Sequence, residues 1–196
     1  MHPELLSMSL FMLVTSCSPG PNNIVASYSA FNFGIIKTIP HMCGVMFGFT
    51  TLVAVVNFGL INIFKMFPMI QEILKYGGSI FLIYLAYKIS FSKSNSGNLV
   101  NNPVKFYESF FFQFINPKGV SVAVITIVTF VDSTNHYLEH SIWIIGVSFF
   151  FACFSISFWS LLGKFLRKFA TNEKFIKNFN YIMSFLLVSC IATFYL

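Results

Sequence analysis

Six apolar runs follow one another along this chain with only short connections, at about 5–33, 39–64, 69–91, 107–131, 139–163 and 178–196. A helix needs roughly 20 apolar residues to cross the hydrocarbon core of a bilayer. Composition says the same. Of 196 residues, 56% are hydrophobic and only 9% charged, and the mean hydropathy is +0.76. A soluble domain carries about 25% charged residues because it faces water all round. These values exclude a soluble enzyme, a disordered chain, a disulfide-rich secreted domain and a nucleic-acid-binding domain. An isolated strand in lipid would leave its backbone polar groups unpaired, so the runs are helices. The expected fold is an all-α integral membrane protein with six transmembrane helices.

The formal charge is +6, and the basic residues lie almost wholly between the runs. The first, third and fifth connections hold nine: Lys37; Lys88, Lys93 and Lys105; Lys164, Arg167, Lys168, Lys174 and Lys177. The opposite side holds two, Lys65 and Lys75. Cytoplasmic loops are the basic ones, so the odd connections are expected in the cytoplasm and both termini outside. The third run is diluted by Gln71, Glu72 and Lys75. If it only dips into the lipid, five spans remain. Val14-Thr15-Ser16-Cys17 resembles a lipoprotein processing site, but the region before it has Glu4 and no Lys or Arg. A cleaved signal needs a basic start, so this segment is read as a retained first span. Cys17, Cys43, Cys153 and Cys190 all lie inside apolar runs, where cysteine acts as a small hydrophobe.

The chain divides into a first three-helix repeat over 1–91, a cytoplasmic linker over 92–106 and a second repeat over 107–196. The linker is rich in Ser, Asn and Gly, from Ser92-Lys93-Ser94 to Asn101-Asn102-Pro103. Three spans per half insert the second half upside down. Each half opens with an apolar run broken near its middle, by Ser18-Pro19-Gly20-Pro21-Asn22-Asn23 and by Asn116-Pro117-Lys118-Gly119. Inverted halves whose broken helices meet at the midplane are a recurrent architecture of secondary transporters.

At the breaks, Pro19, Pro21 and Pro117 lack an N–H and crowd the preceding turn, while Gly20 permits unusual angles. Freed carbonyls and restarting N–H groups then need partners, which the amides of Asn22, Asn23 and Asn116 or a polar cargo would supply. The alternative is a kink made good by neighbouring helices. Lys118 is an ammonium inside an apolar run, which costs about 2.5–3.5 kcal/mol on insertion scales. Snorkelling to the interface is its bland alternative. The six acids, Glu4, Glu72, Glu108, Asp132, Glu139 and Glu173, all lie near span ends or in connections. Lys118 is therefore left to backbone carbonyls, asparagines or a carboxylate on the cargo. A lysine that alternates between charged and neutral would also make the proton the coupling ion.

Ser18-Pro19-Gly20-Pro21-Asn22-Asn23 late in a first hydrophobic helix resembles the signature of the LysE/RhtB family of amino-acid exporters. Gly44-x-x-x-Gly48 is similar to the family's second helix, and Tyr76-Gly77-Gly78 with Phe81–Lys88 to its third. Phe114-Ile115-Asn116-Pro117-Lys118 resembles its L-N-P-K segment. The resemblance covers about residues 5–131. It implies efflux of small amino acids or their derivatives across a bacterial inner membrane, driven by gradients rather than ATP, with no cofactor. There are departures: Val128-Thr129-Phe130 stands where relatives commonly read P-Q-F, Phe81 where Tyr is frequent, and Asp132 ends the span without the usual proline.

Other residues are weighed against simpler roles. His41 is a possible proton carrier, with an interfacial histidine as the preferred reading. Gly44 and Gly48 permit close helix packing, either within the chain or in a homodimer. Asn57, Asn62, Gln113, Ser155 and Ser157 would line a path or bond between helices. Trp143 and Trp159 suit the two interfaces, and the Lys164–Lys168 cluster suits topology and anionic lipid. Heavy-metal efflux is the alternative function, through Cys17, His41, Cys43 and the methionines. No metal site is expected, because His41 and Cys43 point apart on a helix. No catalytic motif indicates an enzyme.

Overall fold

The computed structural model describes residues 4–60, 66, 68–90, 103–131, 137–170, 172–192 and 195. Every regular element among them is helical. The larger part of the expected linker, together with Asn62, Lys65, Lys93 and Asp132, lies outside the described residues.

Helix α1 covers Leu5–Cys17 and α2 covers Pro21–Phe33. The interruption between them follows from Pro19 and Pro21. Pro21 is accommodated because the first helical position needs no N–H and favours the angle its ring imposes. A single residue, Gly34, joins α2 to α3 (Ile35–Val55) with φ 82° and ψ 165°, a region open in practice only to glycine. Helix α3 thus starts before the expected position 39 and carries Pro40 within it. It widens into a π-type turn over Val56–Leu60, where Gly59 has φ 151°. Helix α4 spans Pro68–Ser90. Helix α5 covers Phe106–Ile115, and Glu108 Oε2 accepts the Lys105 N–H at its start (2.7 Å). Helix α6 covers Pro117–Phe130, α7 Tyr137–Arg167 and α8 Glu173–Ala192.

Among the described residues three stretches are long and apolar enough to cross a membrane: Ile35–Gly59, Tyr137–Arg167 and Glu173–Ala192. Helices α5 and α6, bent by 62° at Asn116, make a fourth when taken as one span. The first apolar run is split into two 13-residue pieces by its break.

The described helix ends fall into two groups. At one end Phe31 stacks on Phe179 (3.7 Å between ring centres), with Arg167 5.4 Å from the Phe31 ring. There too, Asn32 donates to Asn180 (2.9 Å), and Ile89 and Val104 pack with Tyr28. The basic helix ends of α4, α7 and α8 gather here. At the other end the Tyr137 hydroxyl donates to the Asn57 carbonyl (2.9 Å) and Asn57 to Ser141 (2.8 Å). One apolar cluster, including Met8, Leu52, Ala123 and Ile144, joins α1, α3, α6 and α7. A second, including Ile24, Leu85, Phe112 and Leu187, joins α2, α4, α5 and α8. Both helix breaks fall between the two clusters.

Glycines set how closely the helices approach. A Cβ on Gly44 or Gly48 would run into the Phe106 or Phe110 carbonyl of α5. Gly44 and Gly48 are thus spent on packing within the chain, the first of the two roles expected of this motif. Gly78 of α4 lies against the Ile115 carbonyl at the second break, and Gly163 of α7 against the Ser27 backbone of α2.

Candidate functional site

Where α1 stops, its last carbonyls and those of Ser18 and Pro19 lose their helical partners. Side chains meet each one. The Thr15 carbonyl accepts from Ser18 Oγ (2.8 Å), and that of Ser16 from Asn23 Nδ2 and Ser155 Oγ (2.7 Å each). The Cys17 carbonyl accepts from Trp159 Nε1 (3.1 Å), and that of Ser18 from Asn23 Nδ2 (3.0 Å) and Lys118 Nζ (3.1 Å). The Pro19 carbonyl takes a longer bond from Lys118 Nζ (3.3 Å), which also donates to Ser18 Oγ (2.8 Å). The three N–H bonds of the ammonium therefore have three acceptors, all on the first break. Gly20 makes room for this: a Cβ there would lie 2.8 Å from Lys118 Nζ.

The second break turns at Asn116 (φ −84°, ψ 103°), and α6 restarts at Pro117. Asn116 is buried, yet its side chain does not cap α6, and among the described residues its Oδ1 accepts no hydrogen bond. Helix α2 likewise starts at Gly20 without a side-chain cap. Two helix N-termini, each with unpaired N–H groups and a partial positive charge, border one pocket. The pocket holds about 520 Å³ of unfilled space, part of it continuous with the exterior. Its polar wall includes Asn22, Asn23, Gln113, Asn116, Lys118 and Ser155, and its apolar wall Val45, Phe49, Val122, Ala152 and Ile156. Among the described residues no Asp or Glu lines it.

Two distant stretches, 18–23 and 113–119, thus meet in a polar pocket among helices built for lipid. The sequence matches the LysE type translocator family over residues 13–195. The chain belongs to that family. It is 31% identical over 197 residues to the cysteine/O-acetylserine efflux protein of Escherichia coli (strain K12), covering 97% of each chain. The same identity and coverage relate it to the proteins of that name from Escherichia coli O157:H7 and Shigella sonnei (strain Ss046). No solved structure matches the chain.

In this LysE-type translocator Asn22, Asn23, Asn116 and Lys118 lie together around the pocket at the two breaks, but with different partners. Asn23 is bonded to backbone carbonyls on one side and accepts from Ser155 (3.2 Å) on the other. Asn22 is paired with Gln113: Asn22 Nδ2 donates to Gln113 Oε1 (2.8 Å) and Gln113 Nε2 to Asn22 Oδ1 (3.2 Å). Asn116, whose buried Oδ1 has no hydrogen-bond partner among the described residues, and the two uncapped N-termini border the pocket. One expectation is corrected and one residue is placed. His41 is buried in the protein, with Nδ1 2.6 Å from Ser109 Oγ and Nε2 3.2 Å from the Asn22 carbonyl oxygen. Trp159 does not serve as an interface anchor through its N–H, which is spent on the Cys17 carbonyl. In the sequence Gln113, Ser155 and Trp159 are ordinary polar or amphipathic residues of apolar helices. Their meeting with residues more than 90 positions away has no local signal.

Proposed function

We propose that this translocator exports small amino acids or their derivatives from the cytoplasm of a bacterium across the inner membrane. The observation that carries this reading is the convergence of the Lys118 ammonium and two uncapped helix N-termini on a pocket that no acid lines among the described residues. A carboxylate is the group such a place stabilises, as at the half-helix ends of other secondary transporters. Lys118 would exchange its long bond to the Pro19 carbonyl (3.3 Å) for the carboxylate, held also by the N–H groups at Gly20–Asn23 and Lys118–Gly119, and Asn116 Oδ1 would accept from the ammonium of the cargo. The wall of Val45, Phe49, Val122, Ala152 and Ile156 offers an uncharged side chain a dry surface and gives a second cation no partner. Cysteine and O-acetylserine, named for the relatives, have such side chains. Heavy-metal efflux is not favoured, since among the described residues no three His, Cys, Asp or Glu gather to hold an ion.

The same reading has six spans in two inverted halves, 1–91 and 107–196. It is supported by the like construction of the two breaks, each with a proline at the first position of the restarting helix. The end that gathers the basic residues would be cytoplasmic, with both termini outside. Gradients would drive transport, with the proton as coupling ion. Lys118 could release a proton only by giving up one of its three acceptors, which ties its charge to the shape of the first break.

The test is counterflow in proteoliposomes preloaded with one amino acid and offered a labelled panel outside. Exchange of cysteine, O-acetylserine and similar small neutral zwitterions, with lysine and arginine much weaker, is the expected result. Exchange of none of them would overturn the reading.

A further inference from the structure

We infer that the Asn22–Gln113 amide pair is the inner gate of the transport path, a device whose two hydrogen bonds are broken and remade in each cycle. The inference rests on the reading that the pocket at the breaks lies on that path.

A second, smaller pocket of about 200 Å³ lies on the side of the basic connections, between α2, α3, α4 and α5. Val104 and Glu108 place it beside the start of α5. Asn22 lines both pockets, Gln113 the larger one, and His41 and Ser109 the smaller. The pair therefore stands in the wall between them. Its chemistry suits a wall that opens. Bonds at the first break run mostly from side chains to backbone carbonyls or involve the Lys118 ammonium, so separating them strands a carbonyl or a charge. The amide pair is neutral and closes on itself, one donor and one acceptor from each residue. Water or a polar cargo can replace both bonds at once without leaving a charge unpaired.

The neighbours hold the pieces in place when the pair opens. Gln113 Nε2 also donates to the Ser109 carbonyl (2.7 Å), and the Asn22 carbonyl faces His41 Nε2. The Gln113 amide thus stays held by Ser109 and the Asn22 main chain by His41, so the passage keeps polar groups along its rim. The ring of contacts runs Asn22–Gln113–Ser109–His41 and back to Asn22.

The test reads access directly. In a background with the four cysteines replaced, Val122→Cys places one thiol in the larger pocket, beyond the pair. Membrane vesicles of both orientations are treated with a membrane-impermeant maleimide. With Asn22 and Gln113 intact and no substrate present, labelling from the cytoplasmic face should be slow. Adding Gln113→Ala should raise that rate about tenfold while labelling from the other face changes little. Equal labelling with and without Gln113→Ala would overturn the gate. A double variant, Asn22→Cys with Gln113→Cys in the same background, checks it independently. Oxidation should stop counterflow and reduction restore it, and a crosslinked protein that still exchanges substrate would also overturn the gate. Labelling needs no amino acid, so failure of the proposed cargo and failure of the gate are told apart.

Discussion

Lys118 and Trp159 show how single side chains make a helix break tolerable where water is scarce. Trp159 Nε1 is the donor on the Cys17 carbonyl. Trp159→Phe keeps most of the ring's bulk and strands that oxygen, and leaving a buried acceptor unpaired costs about 1–3 kcal/mol. The expected outcome is a lower unfolding midpoint in detergent with the fold retained. An unchanged midpoint would mean that water or another donor reaches the carbonyl. Lys118 carries a second consequence. Lys118→Arg keeps the charge but cannot give up its proton, since a guanidinium stays protonated. If Lys118 couples transport to protons, this variant should exchange substrate in counterflow yet lose the response of net efflux to an imposed pH gradient. An unaltered response would remove Lys118 as the coupling group.

Elements meet where glycines let them. Gly163 of α7 lies so close to the Ser27 backbone of α2 that a Cβ has no place to go. Because the obstacle is main chain, Gly163→Ala must push α7 away from the helix that carries Asn22 and Asn23. Overpacking of this kind costs about 1–3 kcal/mol. Gly146 on the same helix faces open space, with nothing within 4 Å of where a Cβ would sit, so Gly146→Ala is the matched control. It should leave stability unchanged or raise it, since alanine is favoured over glycine in a helix by about 1 kcal/mol. Thermal unfolding of the two variants checks the pair, and equal melting temperatures would contradict the packing account. At this scale the sequence is informative about breaks and poor about faces. Pro19, Pro21 and Pro117 end helices by removing N–H groups, a local effect read from the residues alone. Which side of an apolar helix faces protein is not local, because lipid and protein interior both accept Phe, Ile and Leu. Hence the burial of His41 and the inward turn of Trp159 had to come from the fold. The partners of Lys118 are an intermediate case. The absence of a mid-depth acid pointed to carbonyls or cargo, but which carbonyls depends on how α1 and α6 pack.

At the scale of the whole molecule, two helix breaks meet through Lys118 and the Asn22–Gln113 pair, and the polar groups around them form one wall of a shared pocket. Most of those groups are satisfied by the chain itself. Among the described residues, the groups that border the pocket without a protein partner are two helix starts and the buried Asn116 amide oxygen, beside the Lys118 ammonium. A cargo carrying a free carboxylate is therefore the central claim, and comparing an acid with its ester tests it most directly. Cysteine and cysteine methyl ester would compete for counterflow of labelled cysteine in proteoliposomes. A hydrogen bond to a charged group contributes about 1.5–3 kcal/mol, so the ester should inhibit at concentrations roughly 10–100-fold higher than cysteine. Equal inhibition by acid and ester would show that no carboxylate is held at the breaks and would contradict the account.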